Sequence, residues 1–370
     1  MADLSAGLRS RDVVGERLAR QFLTTRGPAD AAGAVHALAA VQAQDCVGAK
    51  WAVALRTRGA TDAEVEQALS DGSILRTHVL RPTWHFVHPG DIRWMLALTA
   101  PRVKAAMAYY DRKLELTPAV YRRSNAAIVR ALRDGEHLTR AELARAIQGA
   151  GVAPASGQHL GHLMLRAELE ALVCSGRRRG KQFTYALLDE RVPPMPALGR
   201  DEALLELTRR YFATRGPASA RDFAWWSGLT MRDVKRGLEL AASELQRVRV
   251  EGRDLWRTGR EGAPGTSSAH LLPNYDEYVV GYKDRGAIAR RLGDAQRGGG
   301  ANLLFSHVAL MDGELVGSWT RTLGKGTVVV DLTPLTRLTP GEEPRIGEAA
   351  KLYGDFLGTS VDLRIGAFRA

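Results

Sequence analysis

Cysteine is almost missing from this 370-residue chain: Cys46 and Cys174 are the two present, and they do not stand at C-x-x-C spacing. Neither a disulfide framework nor a zinc knuckle is encoded, and a reducing cytoplasm is the expected compartment. Long apolar runs are missing too. No stretch of about 18 apolar residues occurs, and the opening MADLSAGLRSRDV lacks a signal-peptide core, so neither membrane insertion nor secretion is expected. A Walker P-loop, a G-x-G-x-x-G after a strand and a G-x-S-x-G elbow are all absent. Nucleotide hydrolysis and dinucleotide chemistry lose their sequence support, and no cofactor is expected.

What is present is an ordinary globular balance, 45% hydrophobic and 25% charged residues, in a chain long enough for two or three domains. The charge is less ordinary. A formal net charge of +11, with a pI near 9.9, favours a polyanionic partner through counterion release and steering, or marks an Arg-rich soluble protein of no special affinity.

The segment RQFLTTRGPADAAGAV from Arg20 returns as RRYFATRGPASARDFA from Arg209, with Thr-Arg-Gly-Pro-Ala identical in both. In each copy the pattern predicts a helix ending at Arg-Gly on a glycine C-cap, with Pro opening the next helix. After the second copy, Thr230 and Asp233 resemble a capping box, and RVRVEGRDLWRT alternates about Gly252 as a hairpin does. Helix, helix and hairpin in that order describe a winged helix-turn-helix. LTRAELARAI from Leu138, GQHLGHLMLRAELEALVCSG and RRRGKQFTYALL repeat the plan mid-chain, and TDAEVEQALSDG with ILRTHVLRPTWHFVHP supplies a version near the N-terminus. From His270 the texture is of antiparallel strands, with tips at Asp312-Gly313 and Gly324-Lys325-Gly326 and a short helix around IGEAAKLYGDFLG. The expected fold is α+β: tandem winged helices over 1–115, 116–195 and 196–262, then a β-rich element over 263–370.

Winged helices mostly serve nucleic acid. Arg177, Arg178, Arg179 and Lys181 crowd the middle wing, where each can offset a phosphate or form a solvated turn. Arg321 and Lys325 mark a second basic hairpin. His78, His85 and His88 lie close in sequence, but no acidic or cysteine ligand adjoins them, so a metal is not expected and they read as structural or DNA-facing. Asp276, Glu277 and Asp284 could serve acid-base chemistry, or Asp276 and Asp284 could pair with Lys283 and Arg285 or shape turns.

The stretch HALAAVQAQD, from His36, places Gln42 and Gln44 where a helix with Val35, Leu38 and Val41 on one face runs out. In a continuing helix the two amides would point about 200° apart. An extended Gln-Ala-Gln, starting near Val41, puts both on one side and turns Asp45 away, to a secondary or capping role.

The combination of RGPADAAGAVHALAAVQAQD, RTHVLRPTWHFVHPGDIRWM, ATRGPASARDFAWWSGL and LLPNYDEYVVGYKDR resembles the AlkZ/YcaQ-like family of bacterial DNA glycosylases. The resemblance implies a C-shaped arrangement of three winged helices and a β-rich element around duplex DNA that carries alkylated or crosslinked purines; no heptad seam appears, so a monomer is the default expectation. It implies monofunctional removal of N7-alkylated purines, including release of interstrand crosslinks. The family motif, Gln, an apolar residue, then Gln or Asp, falls on Gln42, Ala43 and Gln44, and the final Gln resembles the AlkZ branch associated with self-resistance to a DNA-alkylating natural product. The hairpin from Arg321 to Lys325 is similar to one implicated in DNA engagement. Catalysis is thus expected of Gln42 and Gln44, DNA contact of the basic residues named above, and support of Asp45, His78 and His85.

The chemistry is consistent with amides. N7 alkylation places positive charge on guanine, which leaves as a neutral base, so the enzyme need only position water and tolerate an oxocarbenium-like sugar. Amides accept a hydrogen bond from water but are poor bases, adequate for a labile glycosidic bond and inadequate for an intact one. A lyase is not expected, since Lys50 is the nearest lysine to the glutamines. Two other readings stand beside this one: a multi-winged-helix transcription regulator without catalysis, and a basic scaffold with no specific ligand. The expected location is cytoplasmic, on the nucleoid when DNA is bound.

Overall fold

The structure, a computed structural model, describes residues 10–259, 267–292 and 306–368. The chain begins with α1 (Ser10–Arg20), α2 (Ala31–Leu38), β1 (Ala40–Gln42), α3 (Cys46–Ala54), α4 (Asp62–Asp71), β2 (Leu75–His78), β3 (Trp84–Val87) and α5 (Pro89–Lys113). It continues through α6 (Pro118–Leu132), β4 (Leu138–Thr139), α7 (Arg140–Gly149), α8 (Gly157–Leu169), β5 (Val173–Ser175), β6 (Thr184–Leu187) and α9 (Leu188–Arg191). Then follow α10 (Arg200–Arg215), α11 (Ala220–Ser227), α12 (Met231–Leu240), β7 (Leu245–Val250), β8 (Arg253–Thr258), β9 (Ala269–Leu272) and α13 (Glu277–Val280). The last elements are β10 (Val308–Met311), β11 (Glu314–Leu323), β12 (Thr327–Pro334), α14 (Glu343–Leu357) and β13 (Ser360–Ile365). No described helix is long and apolar enough to cross a membrane.

Two compact units emerge: 1–65 with 204–226 and 230–370, and 66–203 with 227–229. The segment expected as a first domain, 1–115, is therefore shared between them.

In the second unit, α6, β4, α7, α8, β5 and β6 follow winged-helix order, and the strands form an antiparallel sheet ordered β4-β6-β5. A reciprocal capping box starts α7: Thr139 Oγ1 accepts from the Glu142 N–H at 3.3 Å, and the Glu142 carboxylate accepts from the Thr139 N–H at 2.7 Å. Ile128, Leu132, Leu143, Ile147 and Leu163 fill the core, each aliphatic side chain contributing roughly 1.5–3 kcal/mol by its removal from water. The helix expected to run to Gly176 stops at Leu169. Ala171 turns the chain at φ 56°, and Val173, β-branched and fully buried, starts the strand instead.

The first unit holds a second set in the same order, α10, α11 and α12 before the β7-β8 hairpin, whose corner residues Glu251 and Gly252 both have positive φ (49° and 78°), as a tight two-residue turn requires. Its largest sheet is ordered β13-β12-β11-β10-β9. The tips fall at Asp312-Gly313 and Gly324–Gly326, where expected, but the sheet is not wholly antiparallel. β12 and β13 are parallel, because α14 forms the crossover between them and packs on the sheet. Residues 302–305, the start of the expected NLLFSHVALM strand, lie outside the described residues. Trp51, Trp319, Tyr353 and Phe356 centre this core, and both indoles donate to strand carbonyls, Trp51 to Leu271 at 2.7 Å and Trp319 to Leu272 at 2.8 Å.

The expected helix stop at Arg-Gly holds in the second Thr-Arg-Gly-Pro-Ala segment, where α10 ends at Arg215, but not in the first, and the glycine C-cap holds in neither. α1 ends at Arg20, well before Gly27, and neither Gly27 nor Gly216 adopts a left-handed φ. Both glycines instead permit close backbone approach: a Cβ on Gly27 would lie 2.1 Å from the Arg56 carbonyl oxygen, and one on Gly216 would lie 2.5 Å from that of Phe212. Nor does proline open the following helices. Asp30 caps α2 by accepting from the Gly33 N–H at 2.7 Å, and Ser219 caps α11 by accepting from the Asp222 N–H at 3.1 Å.

Candidate active site

α2 ends at Leu38, three residues earlier than the apolar pattern suggests. Ala39, at φ 64°, reverses the chain, and β1 carries the backbone to Gln42 in extended form. Gln42 is only 6% exposed, Ala43 is fully buried and Gln44 is exposed in the bend before α3. The two glutamines thus share one short connection but differ sharply in burial.

Two buried charged side chains hold that connection. Arg215, fully buried, donates to the carbonyl oxygens of Leu38 at 3.0 Å and Ala40 at 3.1 Å, and so satisfies the last helix acceptor before the reversal and the first strand carbonyl after it. The Glu277 carboxylate takes the Arg215 guanidinium at 2.5 Å, the Trp226 indole N–H at 2.9 Å and the Gln42 backbone N–H at 2.8 Å. Gln42 is therefore fixed at its backbone by a side chain 235 residues away. Asp276, next in the chain, caps α13 and binds Arg56 through both oxygens at 2.7 and 2.9 Å. The carboxylates of this cluster are structural, but their partners are Arg56, Arg215 and, for Asp284, Arg253, not the neighbours Lys283 and Arg285.

Asp45 caps α3, accepting from the N–H groups of Val47 and Gly48 at 3.1 and 3.2 Å. Gly48 matters here, since a Cβ would come within 2.9 Å of Asn274 Oδ1 and 3.1 Å of an Asp45 oxygen. Asn274 Oδ1 is itself buried with no hydrogen-bond partner among the described residues. On the neighbouring sheet Arg321 donates to His307 Nε2 at 3.0 Å and lies over the Tyr353 ring, so it is engaged with protein, whereas Lys325 is exposed at the hairpin tip.

His307 and His270 are both depressed to about 4. Burial is the largest cause in each; Arg321 adds to it at His307, where Asp45 opposes, and Arg56 adds to it at His270, where Asp312 opposes. A depressed imidazole stays neutral in the folded protein while its unfolded counterpart protonates near 6.5, so the unfolded state binds more protons between those values. Stability is fully present above about pH 6.5 and falls as pH drops toward about 4. His270→Asn is expected to remove about one proton from the pH dependence of unfolding between pH 5 and 6, read from urea midpoints. An unchanged slope would refute it.

The middle wing closes through Gly180, at φ 59°, with paired backbone bonds of 3.1 Å between Arg179 and Gln182. Arg177 and Lys181 are exposed. Arg178 instead ion-pairs with Glu66 at 3.1 Å over the Phe183 ring, and Arg179 with Glu142 at 2.8 Å. The adjoining cavity, about 620 Å³, mixes these arginines with Asp71, Glu136 and Glu190. Contrary to the sequence-based expectation, acids do adjoin two of the three histidines, Glu168 beside His78 and Asp91 within 4.8 Å of His88. His78 Nδ1 contacts buried Glu168, 90 residues on, and its ring lies 4.4 Å from that of Trp84, tilted by 40°. His85 is buried with Nδ1 on the Thr83 carbonyl at 2.9 Å, and His88 caps α5 through the Gly90 N–H. Sequence reasoning missed Arg215 and Glu277 as supports of Gln42. Their signal was present, one in the repeated Thr-Arg-Gly-Pro-Ala and the other in NYDEY, but nothing in either stretch shows what it touches.

The sequence profile of the family described as DNA glycosylase AlkZ-like matches residues 35–356. An interstrand DNA cross-link repair glycosylase of Streptomyces sahachiroi is 27% identical over 330 residues, covering 84% of this chain and 87% of that protein. The solved structure of the Streptomyces sahachiroi DNA glycosylase AlkZ is similar with a TM-score of 0.78 at 25% identity, covering 97% of this chain and 100% of that one.

Proposed function

The chain belongs to the AlkZ-like DNA glycosylase family, and from that premise we propose that it hydrolyses the glycosidic bond of N7-alkylated purines in duplex DNA. Purines tethered across an interstrand crosslink are included, as the name of the Streptomyces relative suggests, and Gln44 in the last position of the motif supports a physiological role in self-resistance to a DNA-alkylating natural product.

The observation that carries this reading is the Gln42–Gln44 connection, extended as far as Gln42, where Glu277 anchors the backbone, and bent at Gln44, with Asp45 already engaged as a helix cap. The reaction then needs only water, because the alkylated base departs neutral as its N9–C1′ bond breaks. Water adds to C1′ and its proton passes to solvent. The amides orient that water and set their carbonyl dipoles against the developing sugar cation. Arg177, Lys181 and Lys325, all exposed, supply backbone contacts. Lys50 is a poor Schiff-base candidate, being buried and ion-paired with Asp62 at 2.8 Å, which supports a monofunctional enzyme.

The test is incubation with a duplex bearing one defined N7-alkylguanine. Free alkylated base should accumulate together with a site cleaved only on alkali treatment. Strand cleavage without alkali would overturn the monofunctional assignment, and intact DNA would overturn the substrate.

A further inference from the structure

The charge of the chain is concentrated where the winged-helix reading did not look. Between Arg102 and Arg133 lie eight Lys and Arg against Asp111 and Glu115, more than half of the net +11. Asp111 is directed inward, accepting from the Tyr121 hydroxyl at 2.8 Å and facing His162 Nδ1 at 3.3 Å. That bond joins the C-terminal turn of α5 to the first turns of α6. It brings Arg112 and Lys113, which follow Asp111, near Arg122 and Arg123, which follow Tyr121. All four are exposed, and none pairs with a carboxylate among the described residues.

The helical period extends the pattern. On α5, Arg102, Tyr109 and Lys113 fall within an arc of about 40°, and on α6 Arg122, Arg123 and Arg130 fall within about 100°. The neighbouring positions Ala105, Ala106, Ala119 and Ala126 are exposed alanines, so Tyr109 is the bulky side chain that would meet a polyanion alongside these cations. Tyr109 is 61% exposed and stands edge-on to Tyr110, itself 41% exposed, at 5.4 Å. An exposed tyrosine pair can lay a ring on deoxyribose and donate a hydroxyl to phosphate.

We propose that the exposed faces of α5 and α6 form a second, sequence-independent contact with the phosphodiester backbone of duplex DNA. The choice of DNA as the polyanion rests on the glycosylase reading. The contact itself involves no reacting atom.

The test compares the full chain with R112Q/K113Q/R122Q/R123Q, measuring affinity for an undamaged duplex over a range of NaCl. Each lost phosphate contact removes about 0.9 from the slope of log K against log salt, so the slope should fall by about 2–4 and low-salt affinity at least about tenfold. Single-turnover base release at saturating enzyme should not change. The Arg-to-Lys versions at positions 112, 122 and 123 should keep the wild-type slope, which separates charge from packing. An unchanged slope in the Gln variant overturns the surface while leaving the glycosylase reading intact if base release continues. A reduced slope in a protein that releases no base sinks the glycosylase reading and not the surface. Lost binding to phosphatidylserine vesicles with DNA binding unaltered would assign the face to a membrane and overturn the proposal.

Discussion

Replacing Gln42 and Gln44 together with alanine should lower single-turnover base release from N7-alkylguanine DNA by roughly 10²–10³-fold or more, while affinity for the duplex changes little. The expectation follows from where the positive charge lies. In the ground state it sits on the alkylated base; in the transition state it moves to the sugar, and only groups aimed at the sugar favour that transfer. Amides do not titrate, so the wild-type rate should also lack the acidic limb that a carboxylate base would impose on a pH profile. The two single variants should be unequal. Gln42 is 94% buried and backbone-anchored, so its truncation also disturbs the packing that holds the motif, whereas Gln44 is exposed in the bend. An activity within tenfold of wild type in the double variant would remove the amides from the chemistry.

How much of this was legible depends on the range of the interaction. Local signals served well: the Thr139–Glu142 and Thr230–Asp233 caps, the Gly252 and Gly313 corners and the order of helices before each hairpin are all fixed within a few residues. Where the partner lies far away in sequence, the reading went astray. Gly27 resembled a helix stop, yet it is small because the Arg56 carbonyl approaches it. Asp276 and Asp284 have basic neighbours at 283 and 285, yet they bind Arg56 and Arg253. α5 went unassigned because Pro101 interrupts its apolar pattern, although the helix continues through it with the Thr99 hydroxyl bonded to the Met95 carbonyl at 2.8 Å. The glutamine motif was found as a pair of residues, but the reversal that presents it was not. That reversal depends on Arg215, and no short-range pattern joins Leu38 to a guanidinium 177 residues away.

Glu277→Ala should cost about 3–5 kcal/mol of unfolding free energy. A buried ion pair need not stabilise a fold relative to apolar residues of the same shape, but removing one partner strands the other. Here the substitution leaves the Arg215 guanidinium without its carboxylate, and leaves the Trp226 indole and the Gln42 N–H without acceptors, in a place where water does not reach. Arg215→Ala should cost a similar amount, since it strands Glu277 and the carbonyls of Leu38 and Ala40. The double variant should lose less than the sum, the deficit measuring the coupling between the pair. Glu277→Gln separates support of the fold from support of the motif: its amide oxygen can still accept from the Gln42 N–H while offering Arg215 no charge. It should therefore unfold at lower urea than wild type yet retain more base release, per folded molecule, than Glu277→Ala. A Glu277→Ala protein within about 1 kcal/mol of wild type would mean that the chain reversal at Ala39 is maintained by packing around Leu38 and Val41, and that the clamp follows the motif's conformation instead of setting it.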